Sequence, residues 1–404
     1  MIVTLRGVGL TTGGVALLAT GFTFGYPELA ILGATAVLAQ LHALAYAALR
    51  PRLSVTRAVD PDRVARGEGS TVTLTVRNTG RFGAATLVAH DRCGPAHRPA
   101  TVPVPLLRLR PGRDTDVSYP VPTDRRGVVE VGPLQVTRRD PLGLVSVSRS
   151  HGETARIWVY PRSHLMRAVP AGISRSLDGR LDRVPHGAIT FDTLREYVIG
   201  DELRHVHWRT SAKVGELMVR EHLDTSLPRL VVLLDDRAAS WADRGLDGSA
   251  AFESACEAAA SIVSAATRED LPITMHLVSG PAAGGSRIRG ASRDLLDLLA
   301  EAELRDAPTG PPADTDGRTP DEPLVTATNR LRQHRPGDTL IYLTGTAGLG
   351  DLALVSGLKG SFPSVALGVL GPRTADEPQP AGVLLLRAED GADFAAVWDG
   401  VTRW

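Results

Sequence analysis

The chain has no net charge and very little cysteine. Its 404 residues carry 45 Lys and Arg against 45 Asp and Glu, so no global electrostatic field steers it toward nucleic acid, and we expect no nucleic-acid partner. The two cysteines, Cys93 and Cys256, lie far apart in segments of different character. That usage supports neither a disulfide framework nor a thiolate metal site. The length predicts two or three domains.

The common catalytic motifs are also missing. The sequence contains no GxxxxGK[ST] phosphate loop, no HExxH zinc motif and no GxSxG nucleophile elbow. His205 and His207 have no nearby Cys or third His to complete a zinc site. The glycines at 345, 348 and 350 depart from the dinucleotide-binding spacing and indicate a turn. The sequence therefore offers no recognisable catalytic motif, and we expect no cofactor.

Two apolar runs occupy the start of the chain. The first covers residues 8–24, and the second, which is uncharged, covers residues 29–49 and approaches the ~20 residues of a membrane-spanning helix. A signal peptide is the alternative for the first run, but another apolar run follows it instead of a polar mature domain. We predict a transmembrane helical hairpin over residues 1–52. The small residues expected to let its helices approach closely are Gly9/Gly13 and Gly21/Gly25.

The distribution of arginine predicts the orientation of this hairpin. Arg6 precedes the first run, Arg50 and Arg52 follow the second, and the short connection between the runs contains no arginine. Positively charged flanks stay in the cytoplasm. We therefore expect a protein of the bacterial inner (plasma) membrane whose soluble domains are cytoplasmic.

Residues 53–161 have a hydrophobic period of two. Short segments rich in Val and Thr, such as STVTLTVRN and ARIWVYP, alternate with Gly, Pro and Asp turns at a spacing typical of a β-sandwich. We predict a β-sandwich domain there. The polar residues 162–189 have no clear period and indicate a long loop. Together with the residues up to 229, they form the predicted connection to the next domain.

Strands and helices alternate from residue 230 onward. LVVLLD is a continuous apolar run, as in buried parallel strands, and ITMHLVS, TLIYLTG and SVALGVL follow it with helix-period segments between them. This order predicts a doubly wound α/β domain over residues 230–404. The stretch ELMVREH supplies one further candidate strand before Leu230.

Residues 191–221 concentrate charge, aromatic rings and turn residues. Arg204 offers a fork of donors that suits a carboxylate, and Trp208 has a large face with one N–H to satisfy. One interpretation is a polar knot that fastens two domains together, and the other is a recognition surface. We expect the charged residues up to Arg204 to be structural and residues 207–209 to present an interface. The candidate residues are Arg195, Glu196, Tyr197, Gly200, Asp201, Arg204, Trp208, Ser211, Arg220 and Glu221.

The pattern REYxxGDxxRxxxWxxSAxxxxLxVRE in this stretch resembles the signature of the domain-of-unknown-function family 58. These are bacterial membrane proteins with a von Willebrand factor A-like domain, often encoded beside a MoxR-type AAA+ ATPase. The segment RRGVVEVGPLQVTRRDPLGLV, residues 125–145, is similar to a second family pattern, RGxYxxGPxxxxxxDPFGL. Val206 and His207 replace the usual Ile-Asp pair, and Leu142 replaces the usual Phe. The resemblance implies a MoxR-type ATPase as partner.

The end of the first strand of the α/β domain is the place where a related domain would bind Mg²⁺. Such domains present Asp-x-Ser-x-Ser there, because hard cations prefer oxygen ligands. Here the residues are Asp235-Asp236-Arg237-Ala238-Ala239, so Arg237 and Ala239 stand where the serines would be. We predict a degenerate site at Asp235 and Asp236 that holds no metal, with the carboxylates in an internal ion pair.

These observations predict a multidomain chain: a transmembrane hairpin, a β-sandwich, a connecting and signature segment, and a von Willebrand A-like α/β domain. The family resemblance implies a membrane-anchored cytoplasmic adaptor or scaffold, not an enzyme, that partners a MoxR-type AAA+ ATPase through its von Willebrand A-like region. One alternative is a metal-dependent ligand-binding domain, which the missing serines disfavour. The other is a cell-envelope hydrolase, for which the sequence offers no nucleophile and base pair.

Overall fold

A computed structural model describes fifteen stretches of the chain, which divide into two compact units, Met1–Tyr160 and Pro161–Trp404. The described residues are 2–48, 53–80, 87–95, 99–104, 112–167, 173–176, 181–183, 192–197, 206–224, 229–245, 248–284, 291–306, 323–334, 337–372 and 383–401. The four segments predicted from the sequence are a finer division and remain a prediction.

Two apolar helices begin the first unit. Helix α1 (Leu5–Phe24) and helix α2 (Pro27–Ala48) pack as a hairpin, and Gly25 between them adopts a φ of 72°, which glycine tolerates. Both helices are long and apolar enough to cross a membrane. The predicted hairpin of apolar helices is confirmed, and its insertion into a membrane remains a prediction.

The close approach of these helices uses mostly different glycines from those predicted. An added Cβ at Gly14, Gly21 or Gly33 would lie 2.9, 2.5 or 2.6 Å from an atom of the other helix. Gly14 and Gly21 are seven residues apart, which is about two helical turns, so they share one face. Of the predicted glycines, only Gly21 lies in the contact. A Cβ would meet nothing within 4 Å at the other three, Gly9, Gly13 and Gly25.

Two β-sheets form the rest of the first unit. One sheet has the order β1-β10-β9-β5-β8-β11-β3, with β6 paired to β5, and the other has the order β2-β4-β7. The strands are β1 (Ile2–Val3), β2 (Leu53–Asp60), β3 (Arg63–Ala65), β4 (Thr71–Asn78), β5 (Leu87–Pro95), β6 (Ala100–Val104), β7 (Asp114–Pro120), β8 (Gly127–Val131), β9 (Leu134–Arg139), β10 (Val145–His151) and β11 (Ala155–Tyr160).

The two sheets share one hydrophobic core. In β4, the side chains of Val72, Leu74 and Val76 are buried while the threonines between them are more exposed, as the period of two predicts. They cluster with Ile157 and Val159 of β11, which belong to the other sheet. The predicted β-sheet region is therefore confirmed.

A small antiparallel sheet begins the second unit. Its order is β13-β12-β15-β14, with β12 (Ile173–Ser176), β13 (Leu181–Arg183), β14 (Asp192–Glu196) and β15 (Met218–Asp224). Two of these strands lie within residues 162–189, where the sequence indicated only a loop. The pairing explains the difference, because Arg175 of β12 pairs with Asp224 of β15 and Ser176 with Leu223. Local periodicity does not report a contact between segments so far apart in sequence. The predicted strand in ELMVREH is β15.

A mixed sheet follows, with the order β18-β17-β16-β19-β20-β21. All neighbours are parallel except β18, which is antiparallel to β17. The strands are β16 (Leu230–Leu234), β17 (Ile273–Leu277), β18 (Ala282–Gly284), β19 (Thr339–Gly345), β20 (Ser364–Leu370) and β21 (Leu384–Ala388). The helices of this unit are α3 (Trp208–Val214), α4 (Ala250–Arg268), α5 (Ala291–Glu301), α6 (Pro323–His334), α7 (Leu352–Ser356) and α8 (Gly391–Asp399).

The mixed sheet is buried on both faces. Val232 and Leu234 of β16 pack in a core that includes residues of α4, α5 and α8, whereas Val231 and Leu233 pack in a second core with residues of α6 and α7. A strand covered on both sides needs apolar residues at every position, which explains the continuous run LVVLL. The predicted α/β region is confirmed in part: the sheet is mixed and has helices on both faces, and the von Willebrand A-like assignment remains a prediction.

Candidate functional site

A cluster of buried polar side chains occupies the carboxyl ends of β16 and β19. Asp235 directly follows β16, and the adjacent parallel strand β19 contributes Tyr342 and Thr344. Side chains two residues apart in a strand lie on the same face, so both hydroxyls reach the same carboxylate. Arg237 and Asp351 complete the group. We call these five residues the strand-end cluster.

Arg237 holds two carboxylates of this cluster. Its Nε donates to Asp235 Oδ1 at 2.9 Å and its Nη2 donates to Asp235 Oδ2 at 2.8 Å, a bidentate arrangement. The same Nη2 donates to Asp351 Oδ2 at 2.7 Å. The side chain of Asp235 is fully buried, and only 14% of the Arg237 side chain is exposed.

The Asp235 carboxylate accepts three further hydrogen bonds. The Tyr342 hydroxyl donates to Oδ2 at 2.6 Å and the Thr344 hydroxyl donates to the same oxygen at 2.9 Å. The backbone N–H of Arg237 donates to Oδ1 at 3.1 Å. Five donors therefore surround one carboxylate. A cation could use these oxygens only by displacing the guanidinium group.

The charges in the cluster stabilise one another. Burial raises the pKa of Asp235, but the hydrogen bonds and positive charge of Arg237 outweigh burial and hold the pKa below its ordinary value. Burial lowers the pKa of Arg237, and its bonds to Asp235 outweigh that effect and raise it. Burial together with the charge of Asp235 raises the pKa of Tyr342. At neutral pH the cluster is a buried, ionised Asp–Arg pair with a neutral tyrosine.

Asp236 has a different environment from its neighbour. It is fully buried, its Oδ1 accepts from Ser279 N at 2.9 Å, and its Oδ2 has no hydrogen-bond partner among the described residues. The Nε of Arg305 lies 4.0 Å from Oδ2, too far for a hydrogen bond. Burial therefore raises the pKa of Asp236 despite the hydrogen bonding at Ser279. Among the described residues, no three His, Cys, Asp or Glu side chains are grouped to hold a metal ion.

Sequence reasoning missed Tyr342 and Asp351. Tyr342 is the one aromatic residue in TLIYLTG and lies two positions before Thr344. That spacing places both hydroxyl side chains on one face of the strand and could have indicated Tyr342 from the sequence. Asp351 ends the glycine-containing 3-10 turn after β19. Two glycines in this turn are needed for close approach, since an added Cβ at Gly345 or Gly348 would collide with Ser240 O or Thr344 Oγ1 respectively. The turn thus brings in a carboxylate from outside the strand.

The signature stretch forms a compact structure around β14 and β15. These strands pair antiparallel, with Arg195 opposite Val219, Leu194 opposite Arg220 and Thr193 opposite Glu221. The backbone N–H of Tyr197 extends the pairing by donating to Leu217 O at 2.8 Å. The stretch therefore places Arg195 and Arg220 on neighbouring strands. The side chains of Arg195, Arg220 and Glu221 lie outside the described part of the structure, as do Gly200, Asp201 and Arg204 entirely.

Helix α3 is fastened to β15 by its own polar residues. His207 caps the helix, with Nδ1 accepting from Thr210 N at 3.2 Å. The Ser211 hydroxyl is buried and accepts from Met218 N at 2.8 Å. The backbone N–H of His207 donates to Met218 O at 2.7 Å. His207 and Ser211 therefore have structural roles in holding the helix on the strand.

Trp208, in contrast to the buried Ser211 on the same helix, faces solvent. Its side chain is 64% exposed, although tryptophan is normally well buried. Val214 at the end of α3 is 57% exposed and Leu217 before β15 is 41% exposed. We call these three residues the α3 surface. The strand-end cluster is thus buried and polar, whereas the exposed apolar side chains lie on α3 and just after it.

The comparisons with known proteins place one family in this region. The model of a family described as "Protein of unknown function DUF58" matches residues 193–332. The match begins in β14 and ends within α6, so it includes the α3 surface and Asp235 and Arg237 of the strand-end cluster. No curated protein matches the chain.

Several solved structures resemble parts of the chain. They include the CARDB domain of the PF1109 protein from Pyrococcus furiosus in complex with di-metal ions, at 17% identity over 27% of this chain and 93% of that one, with a TM-score of 0.19. The putative ApaA protein from Bordetella pertussis is similar at 16% identity over 27% and 94%, with a TM-score of 0.21. Spo0M, a sporulation control protein from Bacillus subtilis, is similar at 15% identity over 26% and 49%, with a TM-score of 0.17. Likenesses at this level carry no functional argument.

Proposed function

Since residues 193–332 form a domain of the DUF58 family, whose function is unknown, we propose that the chain is a membrane-anchored cytoplasmic adaptor. In this proposal, a β-sandwich and a von Willebrand A-like domain are carried on a transmembrane hairpin. The α3 surface binds a MoxR-type AAA+ ATPase, the partner that the sequence resemblance implies. The strand-end cluster keeps the domain folded and takes no part in metal binding.

The bidentate pair between Arg237 and Asp235 is the observation that carries this proposal. In a metal-dependent von Willebrand A domain, the equivalent aspartate is available to coordinate Mg²⁺ through oxygen ligands. Here both oxygens of Asp235 receive guanidinium hydrogen bonds at 2.8–2.9 Å. Arg237 thus supplies the positive charge that a metal would bring. A domain built in this way recognises its partner through surface side chains instead of a bound cation.

The exposed tryptophan supports the α3 surface as the binding region. Trp dominates the energetics of many protein interfaces because it buries a large area with little loss of side-chain freedom. Trp208 lies on a helix that is tied to β15 by two hydrogen bonds, from His207 N to Met218 O and from Met218 N to the Ser211 hydroxyl. The side chain is therefore presented from a rigid support, which lowers the entropy lost on binding. Val214 and Leu217, six and nine positions later, are further exposed apolar side chains.

The apolar hairpin supports the anchoring part of the proposal. Helices α1 and α2 have 20 and 22 residues, the length needed to cross a bilayer. Arg6 lies at the start of α1, and the turn between the helices carries no arginine. This asymmetry favours a hairpin whose open end, and therefore both soluble domains, lie in the cytoplasm.

The test is binding of the ATPase to the full-length protein in lipid nanodiscs. Trp208→Ala should weaken binding at least about 30-fold, the hot-spot threshold of about 2 kcal/mol. Its melting temperature should stay near that of the wild type, because the side chain is mostly exposed. The matched control is Leu165→Ala, which removes another exposed apolar side chain, 71% exposed, from the same unit.

The outcomes separate a binding role from a structural one. Unchanged affinity of Trp208→Ala would remove Trp208 from the interface. An equal loss of affinity for Leu165→Ala would indicate nonspecific apolar adhesion. A large fall in the melting temperature of Trp208→Ala would place the side chain in the core and contradict the proposed surface.

A further inference from the structure

The turn at residues 140–144 is built around a buried aspartate. The Asp140 carboxylate accepts from Leu142 N at 2.9 Å and from Val145 N at 2.6 Å. Gly143 adopts a φ of 70°, a conformation that glycine adopts without steric cost. These bonds hold the turn in one conformation. They also leave the Leu142 side chain 57% exposed at its tip.

The turn is tied to the beginning of the apolar hairpin. Thr4, the N-cap of α1, donates from its hydroxyl to Gly143 O at 2.8 Å and to Leu144 O at 3.0 Å. Its backbone N–H donates to Leu144 O at 3.0 Å as well. Helix α1 starts at the next residue, Leu5. The turn that carries the exposed Leu142 is therefore hydrogen-bonded to the residue that precedes the first candidate span.

The length of α1 determines where its Leu5 end falls in a membrane. A helix of 20 residues rises about 30 Å at 1.5 Å per residue. This matches the thickness of the hydrocarbon core of a bilayer, about 30 Å. When the hairpin spans the membrane, the Leu5 end of α1 therefore lies at the boundary between acyl chains and headgroups.

Other side chains from the sheets contact the hairpin near the same end. One small apolar core joins the two parts of the unit and consists of Leu10, Ala43, Leu44, Leu144, Val145 and Val147. Leu10 is five residues into α1, which is about 7.5 Å beyond Leu5. The Arg138 guanidinium of β9 lies over the ring of Tyr46 in α2, 4.1 Å from its centroid. Tyr and Arg are favoured at the level of lipid headgroups.

We propose that the turn at residues 140–144 is a second membrane contact, with the Leu142 side chain inserted among the lipids at the headgroup boundary. The inference rests on the proposed insertion of the hairpin into a membrane. The lipid surface is the occupant that the geometry favours, because Leu142 is exposed and hydrogen bonds to Thr4 hold its turn at the level where the hairpin enters the bilayer. The sheets of the first unit then contact the membrane surface directly.

The experiment attaches an environment-sensitive nitrobenzoxadiazole fluorophore to single introduced cysteines in the full-length protein. Both native cysteines, Cys93 and Cys256, are buried, so labelling is selective. The test variant is Leu142→Cys. Leu38→Cys in α2, at a side chain 63% exposed, reports insertion of the hairpin. The aqueous control is Gly69→Cys, where an added side chain meets nothing within 4 Å.

The proteins are reconstituted in nanodiscs with and without lipids that carry a nitroxide quencher. We expect blue-shifted, quenchable emission from the probes at residues 142 and 38, and unshifted, unquenched emission at residue 69. A quenched probe at 38 with an aqueous probe at 142 would overturn this inference alone. Aqueous probes at both positions would overturn the membrane anchoring as well.

Two further outcomes would also contradict the lipid contact. A probe at residue 142 that is blue-shifted but not quenched by nitroxide lipid would mean that protein, such as a second copy of the chain, covers the turn. Quenching at residue 69 as strong as that at residue 142 would mean that the soluble domain adsorbs to lipid without using this turn.

Discussion

Replacing Arg237 with alanine tests whether the strand-end cluster holds the α/β unit together. Arg237→Ala removes the two guanidinium hydrogen bonds to Asp235 and the one to Asp351. The Asp235 carboxylate then remains fully buried, with a negative charge and no cation beside it. The variant should be strongly destabilised, because an uncompensated buried charge is costly.

The expected loss can be estimated from the geometry. Removing one partner of a buried ion pair costs about 3–5 kcal/mol. Asp235 retains the hydroxyls of Tyr342 and Thr344, at 2.6 and 2.9 Å, which still stabilise the charge. We therefore expect the lower end, about 3 kcal/mol, from a total free energy of unfolding of roughly 5–15 kcal/mol.

Urea-induced unfolding of the full-length protein in detergent measures this loss. Trp241 is a suitable reporter, because its Nε1 donates to Asp235 O at 3.1 Å and its side chain is buried. Arg244→Ala is the matched control, because it removes the same side chain from an exposed pair with Asp306. That control should barely move the unfolding midpoint, since exposed ion pairs contribute little.

A double-mutant cycle with Asp235→Asn completes the test. If the pair acts as a unit, the combined variant should lose less stability than the sum of the single losses, because no buried charge is left unpaired. The reasoning is refuted if Arg237→Ala costs under about 1 kcal/mol, the range of a solvated pair, or if the two losses are additive.

Three other predictions concern metal, topology and pH. Millimolar Mg²⁺ should leave the melting temperature of the protein unchanged. A site of micromolar affinity, at thousandfold excess of Mg²⁺, would instead raise the free energy of unfolding by about 4 kcal/mol. A rise in melting temperature that Asp235→Ala abolishes would contradict the prediction of a degenerate site. A reporter active only outside the cytoplasmic membrane, fused after Trp404, should stay silent, and strong activity would reverse the orientation. The pKa of Asp236 is raised above its ordinary value of 3.8 in the folded protein. The free energy of unfolding should therefore fall as the pH rises from 3.8 through the pKa of the folded state. Asp236→Asn should flatten that decline in urea titrations, and an unchanged slope would contradict the assignment.

Local periodicity was sufficient to predict most of the fold. The strand TLIYLTG has the predicted ends in β19, Thr339–Gly345, and the period of two in β4 distinguishes buried from exposed positions. The sequence could not reveal the short polar strands β12 and β13, which are strands because of their partners. It also favoured glycines four residues apart in α1, although the helix contact uses Gly14 and Gly21, seven residues apart. The angle at which α1 and α2 cross decides which face of α1 packs against α2, and that angle depends on the side chains of both helices.

The candidate sites divide in the same way. The sequence by itself determined that serines are missing after Asp235 and that an arginine stands in their place, because ligand chemistry depends on residue type. It also marked the stretch containing Trp208. Only the tertiary structure decided that Arg237 turns back onto Asp235 while Asp351 approaches from another loop, and that Trp208 is exposed whereas Ser211, three residues later, is buried. Residue types and their periods are local properties, but the partners of a side chain and its contact with solvent depend on segments that are distant in sequence.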